Sequence, residues 1–402
     1  MTRGRTTAAP CEPMPPKTRP LGIGTLALHG GRQRTGDGVS PDQPVVAPLY
    51  QSVNFVQPPG TAEGLRYPRY GNNPTAEGLQ QRLALLEGAE AALVLASGMG
   101  ATTCAMLALL RPGDHVLSSA WVYGGTHRLL SVELSAMGIE VTFIDPTETR
   151  KWRRAVRRET RAIFVETPVN PTCRVLDLRP MSHLAAEHGL AFVVDSTFAT
   201  PVNFRPLEHG ADVIVHSATK YLNGHHDVLA GVVLGSASVV EEVRQKMIVW
   251  GQAPDPFACW LLERGLKTLA VRVKQHNANA LAVARWCAKR PEIRRVHYAG
   301  LPDHPDHKVA RRTMEGFGGM MAIELANGDA ADRFLAKLRV ITPAPSLGGV
   351  DSVASQPRFT SHTHLTPAER ARIGIPDGFV RLSIGIEEPE DLVADIEQAL
   401  RP

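Results

Sequence analysis

Through the middle of the chain, short runs of nearly unbroken apolar residues alternate with stretches whose apolar positions recur every three or four residues. Ala91–Leu95 is a short apolar run, and strand candidates follow at His115–Leu117, Val141–Ile144, Ala162–Glu166, Phe192–Asp195, Val213–His216 and Gly231–Leu234. Helical spacing marks Leu79–Leu86, Met99–Leu110, Thr126–Met137, Trp152–Glu159 and Met181–His188. Strands that are apolar on both sides need cover on both faces, so the pattern predicts a mostly parallel sheet sandwiched by helices. Antiparallel members at its end stay open. Beyond about residue 255 the texture changes. A long helix at Thr268–Lys289, strands at Met320–Leu325 and Phe379–Ile384, and helices at Ala330–Leu338 and Pro389–Leu400 predict a smaller α+β domain.

The segment Leu21–Gly71 has no sustained period, and Pro44, Pro48, Pro58 and Pro59 interrupt any element. A stretch that long without structure is unusual inside a compact domain, so it is expected to cross a partner subunit or the functional site. The chain thus divides into residues 1–70, an N-terminal arm contacting a neighbouring subunit, 71–255, the main α/β domain, and 256–402, the smaller domain.

Composition narrows the class. Lys and Arg number 44 against 40 Asp and Glu, a net charge of +4, which gives no case for nucleic acid. The basic run from Lys151 to Arg161 reads as a solvated helix face. Five scattered cysteines suggest reduced thiols in the cytoplasm rather than a disulfide framework. No apolar run reaches the ~20 residues that span a bilayer. His225 and His226 are adjacent with no third ligand at a convincing spacing, so no metal is expected.

Three strand ends carry candidate chemistry. Val213–His216 runs out into Ser217-Ala-Thr-Lys220, where open α/β sheets bind their ligands. A lysine there can form an imine with an aldehyde cofactor, and the Ser217 and Thr219 hydroxyls can hold a phosphate. Phe192–Asp195 ends in an acid 25 positions earlier, able to pair with a protonated pyridine nitrogen. Ala96-Ser-Gly-Met-Gly-Ala101 opens a helix with small residues that let backbone amides approach an anion.

Further motifs carry a resemblance. Tyr67-Pro-Arg-Tyr-Gly-Asn-Asn-Pro-Thr75, Tyr123-Gly-Gly-Thr126, Glu166-Thr-Pro-Val-Asn-Pro171, Asp195-Ser-Thr-Phe-Ala-Thr-Pro201, His216-Ser-Ala-Thr-Lys-Tyr-Leu222, Ser346-Leu-Gly-Gly349 and Val380-Arg-Leu-Ser-Ile-Gly385 occur in order. From about Thr25 to Leu400 the chain resembles the Cys/Met-metabolism family of pyridoxal phosphate enzymes, the trans-sulfuration group.

The resemblance implies the aminotransferase-like fold (fold type I) and pyridoxal 5'-phosphate as cofactor. Lys220 would hold it and shuttle protons, Asp195 would meet the pyridine nitrogen, Tyr123 would stack on the ring, and Asn170 would sit near the ring hydroxyl. Gly98, Met99, Ser217 and Thr219 would bind the phosphate. Tyr67 and Arg69 would reach into a neighbouring subunit's site within a homotetramer. Arg381, with Ser346, Asn170 and Tyr123, would bind the substrate, and Lys220, Tyr123, Tyr67 and Asp195 form the expected catalytic set.

Departures from the family pattern bear on the reaction. Gly125 stands where microbial methionine γ-lyases carry cysteine, and Pro345 stands where many cystathionine enzymes carry a glutamate. Gly71-Asn-Asn-Pro-Thr75 is one residue longer than the usual loop, and Ser196 replaces a common asparagine. The loss of the glutamate favours a tail without an amino group. The expectation is γ-elimination on methionine or a related thioether. The alternatives are γ-replacement on an O-acyl homoserine by a thiol, a cystathionine γ-lyase, and a non-catalytic binder of the cofactor.

Overall fold

The computed structural model describes residues 20–30, 44–363 and 365–401. Cys11 and His364 lie outside the described residues, as does much of the segment expected to form the N-terminal arm. Seven strands form the larger sheet: β1 (Ala91–Leu95), β2 (His115–Ser119), β3 (Glu140–Ile144), β4 (Thr160–Glu166), β5 (Ala191–Asp195), β6 (Val213–His216) and β7 (Gly231–Gly235). Their spatial order is β1-β7-β6-β5-β4-β2-β3. Neighbours from β6 to β3 run parallel, while β7 is antiparallel to both β1 and β6.

Both faces of this sheet are covered. Val193, Val213, Val215 and Val233 pack with Met106 and Leu130 on one face. On the other, Ile214, Val232 and Leu234 pack with Leu79, Leu83 and Leu262, and Phe192 and Val194 with Met181 and Leu184. Each such side chain removed from water contributes about 1.5–3 kcal/mol, which is why the strands read as unbroken apolar runs.

The second sheet holds β8 (Arg295–His297), β9 (Met320–Glu324), β10 (Thr342–Pro343), β11 (Val353–Ser355) and β12 (Phe379–Ser383), in the order β10-β11-β12-β9-β8. The long helix Leu269–Cys287 and the terminal helix Pro389–Leu400 cover it through Ala280, Val283, Ile323, Val380 and Ile396. This is a mostly parallel α/β sheet with a smaller α+β unit, as expected. No helix among the described residues is long and apolar enough to cross a membrane.

Some elements differ from the sequence reading. A helix, Ile23–His29, occurs inside the segment expected to be irregular. Its end is held from outside, because buried Arg82 donates to the carbonyls of Ala27 and Gly30. The expected helix Thr126–Met137 begins earlier, as Gly124–Arg128, and widens into a π turn at Leu129–Leu134. The wider turn puts Leu129, Leu130 and Leu134 on one buried side. The helix expected at Trp152–Glu159 is Thr149–Ala155, since the chain must already be extended at Thr160 to pair β4 with β2. A helix at Pro256–Leu266, capped by Asp255, was not anticipated.

Candidate active site

Parallel strands β4, β5 and β6 end on the same side of the sheet, so Glu166, Asp195 and Ser217 emerge side by side. The loop Thr342–Val353 and strand β12 of the smaller unit close over that edge. Between them lies a cavity of about 670 Å³. Gly98, Met99, Tyr123, Asn170, Asp195, Ser217, Thr219, Lys220, Ser346 and Arg381 all line it. Tyr67 and Arg69 do not.

Lys220 and Arg381 meet through one residue. The Lys220 ammonium donates to Ser346 Oγ at 2.9 Å, and Arg381 Nη2 donates to the Ser346 carbonyl at 2.8 Å. Ser346 achieves this with a left-handed backbone (φ 72°), which costs a non-glycine residue about 1 kcal/mol or more. Arg381 Nη1 donates to Asn170 Oδ1 at 3.1 Å. Among the described residues no carboxylate pairs with this buried guanidinium, and burial brings it down to about 10. Burial, then the Arg381 charge, bring the Lys220 amine down to about 8. A lysine this far below its usual range is a ready nucleophile and base near neutrality.

Asp195 and Glu166 are register partners across β4 and β5. Asp195 Oδ1 accepts from the Thr197 N–H at 3.0 Å and the Thr197 hydroxyl at 2.5 Å. The Thr197 hydroxyl oxygen in turn accepts the Ser217 N–H at 2.9 Å. Burial raises Asp195 above the usual carboxylate range, and burial followed by the Asp195 charge pushes Glu166 up to about 8. Two acids crowded together, neither paired with a lysine or arginine among the described residues, suit a positively charged ring nitrogen in the cavity.

The opposite end is built for an anion. Ser97 caps the helix Gly98–Leu109 by accepting the Gly100 N–H at 3.0 Å, and the N-terminus faces Ser217. A Cβ on Gly98 would lie 2.7 Å from Ser217 Cβ and 2.9 Å from its Cα, so only glycine allows this approach. Tyr123 is 41% exposed at the cavity wall. A Cβ on Gly125 would fall 2.6 Å from Tyr123 Cε1 and 3.0 Å from Met99 Sδ. The glycine noted as a departure is therefore what lets the tyrosine ring lie where it does.

Tyr67 and Arg69 stand elsewhere. The Arg69 guanidinium lies 5.6 and 5.3 Å from the centroids of the Tyr67 and Tyr70 rings, and donates to the Ile248 carbonyl at 3.3 Å. Glu166 and Thr197 were missed as individual site residues. Glu166 carried a usable signal, an acid closing an apolar strand just as Asp195 does.

A parallel sheet with its lysine, acid and anion cradle at the strand ends defines a fold type I pyridoxal phosphate enzyme. Residues 24–401 match the family described as Cys/Met metabolism PLP-dependent enzyme, and the chain belongs to that family. It is 40% identical to the cystathionine beta-lyase of Coxiella burnetii, over 94% of this chain and 97% of that protein. It is also 40% identical to the L-methionine gamma-lyase of Pseudomonas putida, with the same coverage. The crystal structure of metB from Corynebacterium glutamicum superposes with a TM-score of 0.88 at 38% identity, over 94% of this chain and 98% of that one. The cofactor is pyridoxal 5'-phosphate, and the reaction class is trans-sulfuration chemistry on sulfur amino acids.

Proposed function

We propose that the chain performs γ-elimination on methionine or a related thioether, consuming water and releasing a thiol, ammonia and 2-oxobutyrate. The observation that carries this reading is the distribution of charge on the cavity wall. Its charged side chains are Glu166, Asp195, Lys220 and Arg381, and every other lining residue is uncharged. Leu229, Pro345, Phe359, Thr360 and Ser361 complete the wall, with Leu229 and Phe359 71% and 66% exposed at the rim. An amino acid head finds Arg381, whereas a second ammonium on the tail finds no acid on this wall beyond the Asp195 and Glu166 pair. Apolar tails are favoured.

When bound, pyridoxal phosphate supplies an electron sink conjugated to the substrate's α-carbon. The chain's own residues do the rest. Arg381 and Ser346 hold the α-carboxylate, and the guanidinium fork fixes its plane. Asp195 keeps the pyridine nitrogen protonated. The amides of Gly98 and Met99 with the hydroxyls of Ser217 and Thr219 would hold the phosphate, Tyr123 would cover the ring, and Asn170 would lie near the ring hydroxyl. Lys220 Nζ, whose amine would hold the cofactor, would serve as the base that removes the α-proton and carries protons onward to neighbouring carbons. A neighbouring subunit supplies Tyr67 and Arg69, within a homotetramer in the cytoplasm.

The test supplies methionine, cystathionine and O-acyl homoserines separately, with and without cysteine, and follows ammonia, 2-oxobutyrate and new thioethers. Methionine is expected to give 2-oxobutyrate faster than cystathionine does. Silence on methionine, together with thioether formation from an acyl homoserine, would establish the replacement reaction instead. No turnover of any of them would leave a binder of the cofactor.

A further inference from the structure

Glu166 takes part in none of the steps above, yet it is buried at the cavity wall, 5% exposed, beside Asp195. Its two carboxylate oxygens go to two different loops. Oε2 accepts the backbone N–H of Tyr123 at 2.6 Å, and Oε1 accepts the backbone N–H of Asn170 at 2.8 Å. Tyr123 opens the helix that follows β2, while Asn170 belongs to the loop that follows β4. Asn170 Oδ1 in turn receives Arg381, and Arg381 shares Ser346 with Lys220. One carboxylate therefore sits where a displacement reaches the residue over the ring and the residue beside the carboxylate clamp.

We propose that Glu166 is a positioning residue: it pins the backbones of Tyr123 and Asn170 so that both side chains flank the bound cofactor and substrate. A carboxyl group presents one acceptor oxygen to each amide, and where it carries a proton the O–H can turn away from both. Glutamine offers one carbonyl oxygen and must turn an N–H₂ toward a backbone N–H, which opposes donor to donor. Aspartate keeps the charge but is one methylene shorter and cannot hold both contacts. The Tyr123 ring has little freedom to compensate, because it already lies against Gly125 and Met99.

The inference rests on Tyr123 and Asn170 flanking the cofactor, so uptake of cofactor by the wild-type protein is measured first. Failure there defeats the earlier reading and not this one alone. Glu166→Gln and Glu166→Asp are then loaded with pyridoxal phosphate and compared with wild type by far-UV and visible circular dichroism. Both are expected to lose visible ellipticity of the bound cofactor while keeping native far-UV spectra. Both are also expected to lose kcat on the best substrate by roughly ten- to a hundredfold, as small misplacements of binding groups do. Retention of kcat and ellipticity in Glu166→Asp overturns the proposal, since charge rather than reach would then be what the site uses. Retention in Glu166→Gln overturns it as well. Should neither variant fold, hydrogen exchange of the wild-type protein decides. Protection of the Tyr123 and Asn170 amides supports the pins, and exchange at the rate of an open loop overturns them.

Discussion

At the scale of single residues, the site works by taking charged groups out of water and leaving them short of partners. Lys220 shows this most directly. Burial is the larger cause of its fall to about 8, and the neighbouring Arg381 is the second. Capture of an aldehyde requires the free amine, so the rate of cofactor uptake by the empty protein should rise with pH and level off above about 8. Arg381→Met removes the second cause only. Its midpoint should move upward yet stay below the ordinary lysine value of 10.5, because burial remains. Stopped-flow absorbance after mixing protein and pyridoxal phosphate reads both midpoints. A wild-type midpoint near 10.5 would show that the amine is solvated in the empty protein.

At the scale of elements, what mattered was the place where a strand stops. β5 and β6 end at Asp195 and His216, and the helix Gly98–Leu109 starts against Ser217. Gly98→Ala should force the helix start and the Ser217 turn apart and weaken cofactor binding by about 1–3 kcal/mol, the usual cost of overpacking. Titration of the empty protein with pyridoxal phosphate, followed by quenching of intrinsic fluorescence, measures it. Unchanged affinity would mean that the phosphate lies elsewhere. These strand ends were legible because each strand is buried on both faces, so a polar residue closing the run stands out. The direction of β7 was not legible, since Gly231–Gly235 buries the same side chains whichever way it runs. β10 and β11, with two and three residues, are too short for any period to register. The helix Ile23–His29 escaped notice because its end is secured by Arg82, more than fifty residues away. Glu166 was marked only by its place at the end of β4, because its partners are backbone amides, which leave no mark on residue type.

At the scale of the whole molecule, the chain exposes apolar side chains near Tyr67 and Arg69 in sequence and beside the partner of Arg69. Val53 and Val56 are 54% and 99% exposed in the stretch before Tyr67. Val249 and Trp250, at 81% and 49%, follow directly on the Ile248 carbonyl that receives Arg69. Large apolar side chains left exposed in this way are candidates for a surface of association. Tyr67 and Arg69 thus stand at an apolar face and outside their own chain's cavity, the arrangement expected if each subunit completes its neighbour's site. That arrangement has a genetic consequence. Lys220→Ala and Arg69→Ala should each be inactive alone. After subunit exchange, a hybrid dimer has one site with both substitutions and one with neither, so about a quarter of all sites regain both residues. Recovery of turnover to that level, measured against remixed single variants kept from exchanging, fits shared sites. If exchange is verified by mass and no activity returns, each site uses its own chain's Arg69, and the segment before Tyr70 must then swing into the cavity of its own subunit.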